Sequence, residues 1–269
     1  MSIPVCTHTW RFELSPFKIA DDLYYVGNRA VCAHLLDTGD GLLLIDTGYP
    51  QTLYLLLESI RKLGFDPRDV KFVLHTHAHY DHIGGTRALI ELTGARTAIG
   101  AADASIARGR PELTEAELAG MTFYEFFEAD EHLEDEQVIR IGKFKILCLS
   151  TPGHTPGAMS YSFDATCGGR PCRAGLHGGP GLASLTDAYL REHNLPFSLR
   201  TDYRAALDRL REEPVDLHLA THPGQNRLIE KHACLDQYPF AFVNAADWPA
   251  FLDQLAVRFD ARIGCPRIK

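Results

Sequence analysis

The passage that most narrows what this chain can fold into is residues 70–82, where an apolar strand pattern runs straight into Thr76-His77-Ala78-His79-Tyr80-Asp81-His82. Residues two apart in an extended segment project the same way, so His77 and His79 present two imidazoles to one point. Asp81 and His82, at the start of the next turn, face a second point close by. With His75, four of the chain's thirteen histidines fall within eight residues. Imidazole with one carboxylate suits zinc first, then iron, manganese or cobalt. The alternation His75-x-His77-x-His79 offers a second register, but only the one containing Asp81 and His82 completes two sites. His75 is therefore expected beside the site or exposed.

The remaining ligands must come from other strand ends. His154 sits in Ser150-Thr151-Pro152-Gly153-His154-Thr155-Pro156-Gly157, after an apolar run at 144–149, and His222 follows a run at 215–219 and precedes Pro223-Gly224. Proline and glycine around each fix the local backbone. Convergence of three strand ends on one point is how a rigid scaffold assembles a metal site.

Short β-type runs at 23–26, 31–36 and 42–45, each closed by turn residues, read as a meander. Helical spacing follows at 52–63 and 86–92, with the strand at 70–74 between them. The second half repeats the order, with strands at 138–141, 144–149, 159–163, 173–176 and 215–219 and helices at 202–211 and 248–259. Two halves of strands followed by helices predict an α/β fold, a four-layer αββα sandwich of two facing sheets with helices outside. No linker or low-complexity stretch divides the chain, so residues 1–269 read as one domain.

Composition supports this and removes other classes. A content of 45% hydrophobic residues over 269 is enough for a full core and excludes a disordered chain or a short disulfide scaffold. Lys and Arg total 27 against 35 Asp and Glu, a net charge of −8, which gives no pull toward nucleic acid or an anionic membrane surface. The expected partner is a small-molecule substrate. The first residues, MSIPVCTHTWRFELSP, lack a secretory pattern, and no apolar run approaches the roughly 20 residues of a membrane span. A cytoplasmic location is the expectation. The seven cysteines are scattered, and most read as small core residues in a reducing compartment. Cys167 and Cys172 flank a Gly-Gly-Arg-Pro turn, could face each other across it, and are expected to stay free.

The histidine motif, the spacing of His154 and His222, and Asp46-Thr47-Gly48 resemble the metallo-β-lactamase superfamily over nearly the whole chain. Ile19-Ala20-Asp21-Asp22-Leu23-Tyr24-Tyr25-Val26-Gly27, Gly153-His154-Thr155-Pro156-Gly157 and His222-Pro223-Gly224 are most similar to the third subclass of zinc β-lactamases. The resemblance implies two zinc ions per chain, one held by His77, His79 and His154, the other by Asp81, His82 and His222. It implies that a metal-bound hydroxide attacks the carbonyl of a β-lactam or another cyclic amide or ester, with Asp81 orienting it. Asp46 is read as supporting a ligand from behind. Lactonases and thioesterases of the superfamily, the alternative activities, place a metal-bridging aspartate between His154 and His222. Here that stretch reads Arg173-Ala174-Gly175-Leu176-His177-Gly178-Gly179-Pro180-Gly181, without aspartate and without the serines of the third subclass. His177 and Gly178 are read as a substrate-facing loop and Tyr124, in the aromatic run 123–127, as a wall over the metals. Residues 128–136 read as a solvated acidic face. A metal-binding scaffold without turnover is the weaker alternative.

Overall fold

The computed structural model describes residues 4–263; Cys265, one of the seven scattered cysteines, lies outside them. Seven strands, β1 (Phe17–Ala20), β2 (Leu23–Tyr25), β3 (His34–Asp37), β4 (Leu42–Ile45), β5 (Val70–Leu74), β6 (Arg96–Gly100) and β7 (Glu131–Leu133), form one sheet in sequence order. The first four are antiparallel, and β4 to β7 are parallel. A second sheet holds β8 (Gln137–Ile141), β9 (Phe144–Ser150), β10 (Met159–Cys167), β11 (Arg170–Leu176) and β12 (Leu217–Leu219), in the order β12-β11-β10-β9-β8.

The unbroken apolar run of β4 follows from this layering. Leu43 and Ile45 face the core between the sheets, together with Ile146, Tyr161 and Phe163 from the second sheet. Leu42 and Leu44 face outward, against Leu56 and Ile60 of the helix Leu53–Lys62 and Leu89 of the helix Thr86–Thr93. Both faces are covered, so hydrophobic alternation disappears, as expected for strands in a parallel sheet. On the far side, the helices Leu199–Arg211 and Asp247–Arg262 pack Leu207, Leu210, Phe251 and Leu255 against Leu149 of β9 and Val215, just before β12. The expected αββα sandwich is thus formed.

Several boundaries differ from the sequence reading. The β10–β11 hairpin is longer than 159–163 and 173–176, because Gly168 and Gly169 take positive φ values of 58° and 75° and close a two-residue turn. Cys167 consequently pairs with Arg170 and Cys172 with Ala165, and both thiols are free. Residues 128–136 are not simply a solvated face: β7 adds to the sheet edge and buries Leu133. Among the described residues no helix is long and apolar enough to cross a membrane.

Candidate metal centre

The C-terminal ends of both sheets' strands converge on one cavity, the usual location of sites in such sheets. Beyond β5 come His77, His79, Asp81 and His82; beyond β9 comes His154; beyond β12 comes His222, and all six line a cavity of about 590 Å3. Donor atoms of His77, His79 and His154 lie within 4.8 Å of one another, and so do those of Asp81, His82 and His222. The two groups touch, with 4.2 Å between the ring centres of His77 and His82.

In the second group, Nε2 of His82 lies 3.3 Å from Nε2 of His222, and Oδ2 of Asp81 lies 3.4 and 3.6 Å from these nitrogens. Tetrahedral ligands at about 2.0–2.1 Å from zinc are separated by about 3.3–3.4 Å, so the triangle has the dimensions zinc requires. Its tautomers agree. Nδ1 of His82 donates to Oδ2 of Asp46 at 2.8 Å, and Nδ1 of His222 donates to the Ala30 carbonyl at 2.9 Å. In the neutral rings, both Nε2 lone pairs then face one another and Asp81, an arrangement that a cation or a proton must resolve. In the first group, Nε2 of His77 is buried with no hydrogen-bond partner. Burial pushes the His79 and His154 rings down to about 3, leaving both neutral with free lone pairs, the form a metal binds. The donor set fits two divalent cations.

Two buried carboxylates hold these donors in place. Asp46, at the end of β4 with φ of 60°, accepts from the Thr76 amide at 2.8 Å, the Thr76 hydroxyl at 2.7 Å and His82. It therefore fixes the tautomer of His82 and the turn that carries His77. Asp103, which sequence reading passed over, follows β6 and is fully buried. Its Oδ2 accepts from the Ala78 amide at 2.9 Å and the Thr155 hydroxyl at 2.7 Å, and its Oδ1 accepts from the Gly157 amide at 2.7 Å. One side chain thus ties the His77-Ala78-His79 turn to the loop of His154. Burial pushes the Asp103 carboxyl up to about 6 despite these three donors. Glu115 was also missed; it adopts φ of 59°, lines the cavity and brings Oε2 to 3.6 Å from Nδ1 of His79.

Three expected substrate contacts are placed elsewhere. His177 is buried beneath the loop, with Nδ1 accepting from the Gly179 amide at 3.3 Å. A Cβ on Gly178 would sit 1.8 Å from the Met159 carbonyl oxygen, so this glycine serves backbone packing. Tyr124 is 77% exposed, while its neighbours Phe123 and Phe127 enter the core. None of the three lines the cavity, which corrects their reading as substrate contacts. The glycine run instead makes room for a ligand: a Cβ on Gly181 would lie 2.5 Å from Cε1 of His154. His75 is not exposed; it is buried beside Asp46, with Nδ1 4.0 Å from its carboxylate.

Charge predicts a measurable pH response. Burial alone would lower the His82 pKa, but Asp81 and Asp46 outweigh it and raise it to about 10. This lies above the value of about 6.5 in an unfolded chain, so the stabilisation is complete below pH 6.5 and lost as pH rises through 10. Chelator-treated protein is expected to lose on the order of 5–10 °C in Tm between pH 6.5 and 10. Metal-loaded protein should change little, because the cation replaces the proton, and calorimetry at pH 8 should record about one proton released as metal binds. A chelator-treated Tm that rises over this range would contradict the assignment.

Comparison with known proteins gives concordant results. Residues 26–222 match the family model of the metallo-beta-lactamase superfamily. BJP-1, a subclass B3 metallo-beta-lactamase of Bradyrhizobium japonicum, superposes with a TM-score of 0.86 at 26% identity, covering 97% of each chain. A beta-lactamase from Chitinophaga pinensis gives 0.81 at 31% identity, covering 95% of this chain and 96% of that one. An N-acyl homoserine lactonase of a Bacillus species is 22% identical over 62% of this chain and 69% of its own. A hydroxyacylglutathione hydrolase of Anaeromyxobacter dehalogenans is 30% identical over 58% of this chain, the match spanning about half (53%) of that relative.

Proposed function

Because this chain belongs to the metallo-beta-lactamase superfamily, we propose that it is a dinuclear zinc hydrolase of small carbonyl substrates, with a β-lactam or another cyclic amide or ester as the substrate class. The observation that carries this reading is the pair of adjoining donor triads, His77, His79 and His154 beside Asp81, His82 and His222, in a cavity of about 590 Å3. When bound, paired divalent cations supply Lewis acidity and lower the pKa of a water molecule.

The chain's own residues supply position. Asp46 and the Ala30 carbonyl keep Nε2 of His82 and His222 turned into the cavity. Asp103 sets the distance between the two backbone segments that hold the first triad. The Ser184 hydroxyl donates to the His154 carbonyl at 2.6 Å and anchors that loop from the other side. Asp81 faces both His82 and His222; burial would raise its carboxyl, but the positively charged His82 ring, with a smaller contribution from His222, outweighs burial and holds it well below the usual range. It stays an anion at any working pH, able to bind a cation and accept a hydrogen bond from the attacking water.

Lactone or thioester hydrolysis is the second reading, favoured by the curated relatives. A panel of a chromogenic cephalosporin, an N-acyl lactone and an acyl thioester, run with zinc-loaded protein, separates them. Ring-opening of the cephalosporin above the other two is expected. Preference for lactone or thioester would move the substrate assignment, and hydrolysis of none would leave the scaffold reading.

A further inference from the structure

A second cavity, of about 700 Å3, adjoins the metal cavity and shares Gly224, Gln225, Phe251 and Gln254 with it. It lies between the helix Leu228–Ala233, the first turns of the helix Asp247–Arg262 and the connection between them. Tyr238, Phe240, Val243 and Ala250 give it an apolar side, and Tyr238 and Phe240 remain 64% and 53% exposed at its edge. Aromatic rings left in water around a concave surface mark a binding region.

Its buried end is polar and unsatisfied. His218 is 1% exposed and lines the cavity, yet neither ring nitrogen has a hydrogen-bond partner. Asn226, 4% exposed, spends its amide N–H on the His218 carbonyl and leaves Oδ1 unpaired. Buried polar atoms without partners are costly and mark positions where another molecule's polar groups complete the pairing. Burial pushes the His218 ring down to about 3. A neutral imidazole offers one donor and one acceptor, and with Oδ1 of Asn226 it matches the C=O and N–H of an amide. Four charged residues line the cavity, Arg227 and Lys231 against Glu230 and Asp247, so its lining carries no net charge to select an ionic group, and Lys231 and Asp247 pair with each other at 2.5 Å.

We propose that this cavity binds an uncharged substrate arm, an aromatic or aliphatic body carrying one amide, while the scissile carbonyl lies among the two metal-binding triads. Tyr238, Phe240 and Val243 receive the apolar body; His218 and Asn226 receive the amide. This rests on the metallo-hydrolase reading for the scissile group, but arm binding is measurable without hydrolysis.

N-methyl phenylacetamide, which has the arm and no hydrolysable ring, is the probe for saturation-transfer NMR with chelator-treated and zinc-loaded protein. Binding in both is expected, weakened about tenfold or more in Ala250→Trp, which fills the apolar side. In hydrolysis, two substrates with the same ring, one bearing a phenylacetylamino arm and one a free amino group, should differ in kcat/KM by about tenfold or more, and Ala250→Trp should collapse that ratio. Absence of probe binding, or a ratio that Ala250→Trp leaves unchanged, overturns the inference. Probe binding sensitive to Ala250→Trp with neither ring opened supports the cavity and defeats the hydrolase reading instead.

Discussion

His79→Ala protein is expected to carry no more than one metal equivalent and to lose about 10³-fold or more in hydrolysis, because the several kcal/mol of charge stabilisation supplied by a metal pair disappears. The first triad is three rings at steep angles, with His79 4.7 Å from His77 and 4.4 Å from His154 between ring centres. Removing one leaves two donors, too few to fix a cation in a site built for three. His77→Ala, His154→Ala and Asp81→Ala are expected to behave alike. Circular dichroism should show the fold retained, since none of these side chains belongs to the apolar clusters between the layers. Full turnover by His79→Ala would remove the first triad from the account.

The second large effect comes from a residue that touches no expected ligand atom. Asp103→Ala leaves the Ala78 amide, the Gly157 amide and the Thr155 hydroxyl buried without their acceptor. At about 1–3 kcal/mol for each stranded group, a loss of roughly 4 kcal/mol is expected, lowering Tm by on the order of 10 °C. The same change frees the His77–His79 turn from the His154 loop, so zinc affinity by chelator competition should fall about 10–100-fold. Asp103→Asn keeps two acceptor lone pairs on one oxygen and should fall between Asp103→Ala and wild type in both. Wild-type Tm and affinity in Asp103→Ala would show that the two segments are held apart from this carboxylate.

What the sequence made legible was what is encoded locally. Residues 42–45 are recognisable because burial on both faces leaves an unbroken apolar run, residues 70–74 because an apolar run is interrupted only by the exposed Lys71, and the structure has strands with those bounds. The helices Leu53–Lys62 and Thr86–Thr93 carry their spacing openly, and the second ends at Gly94 with φ of 67°. The six donor residues are visible because strand, turn and glycine signals surround them. By contrast, β6 reads Arg-Thr-Ala-Ile-Gly, too short and mixed to stand out, and β7 hides in an acidic stretch because only Leu133 of its three residues is buried. Asp103 and Glu115 have no local signature. Asp103 acts through contacts 25 and 54 residues away along the chain, and Glu115 reaches the cavity through a left-handed backbone that its residue type does not announce. His177 was misread for a related reason: it stands at a strand end like His154 and His222, but Gly178 seats against the Met159 carbonyl and the ring turns inward.

The central claim is that two adjoining triads bind two metal ions that make the chain a hydrolase. Elemental analysis of the purified protein, coupled to hydrolysis before and after chelation, tests it most directly. Two zinc equivalents per chain are expected, with turnover lost on chelation and restored as the second equivalent is returned. No bound metal, or a single equivalent with no hydrolysis of cephalosporin, lactone or thioester, would contradict the account.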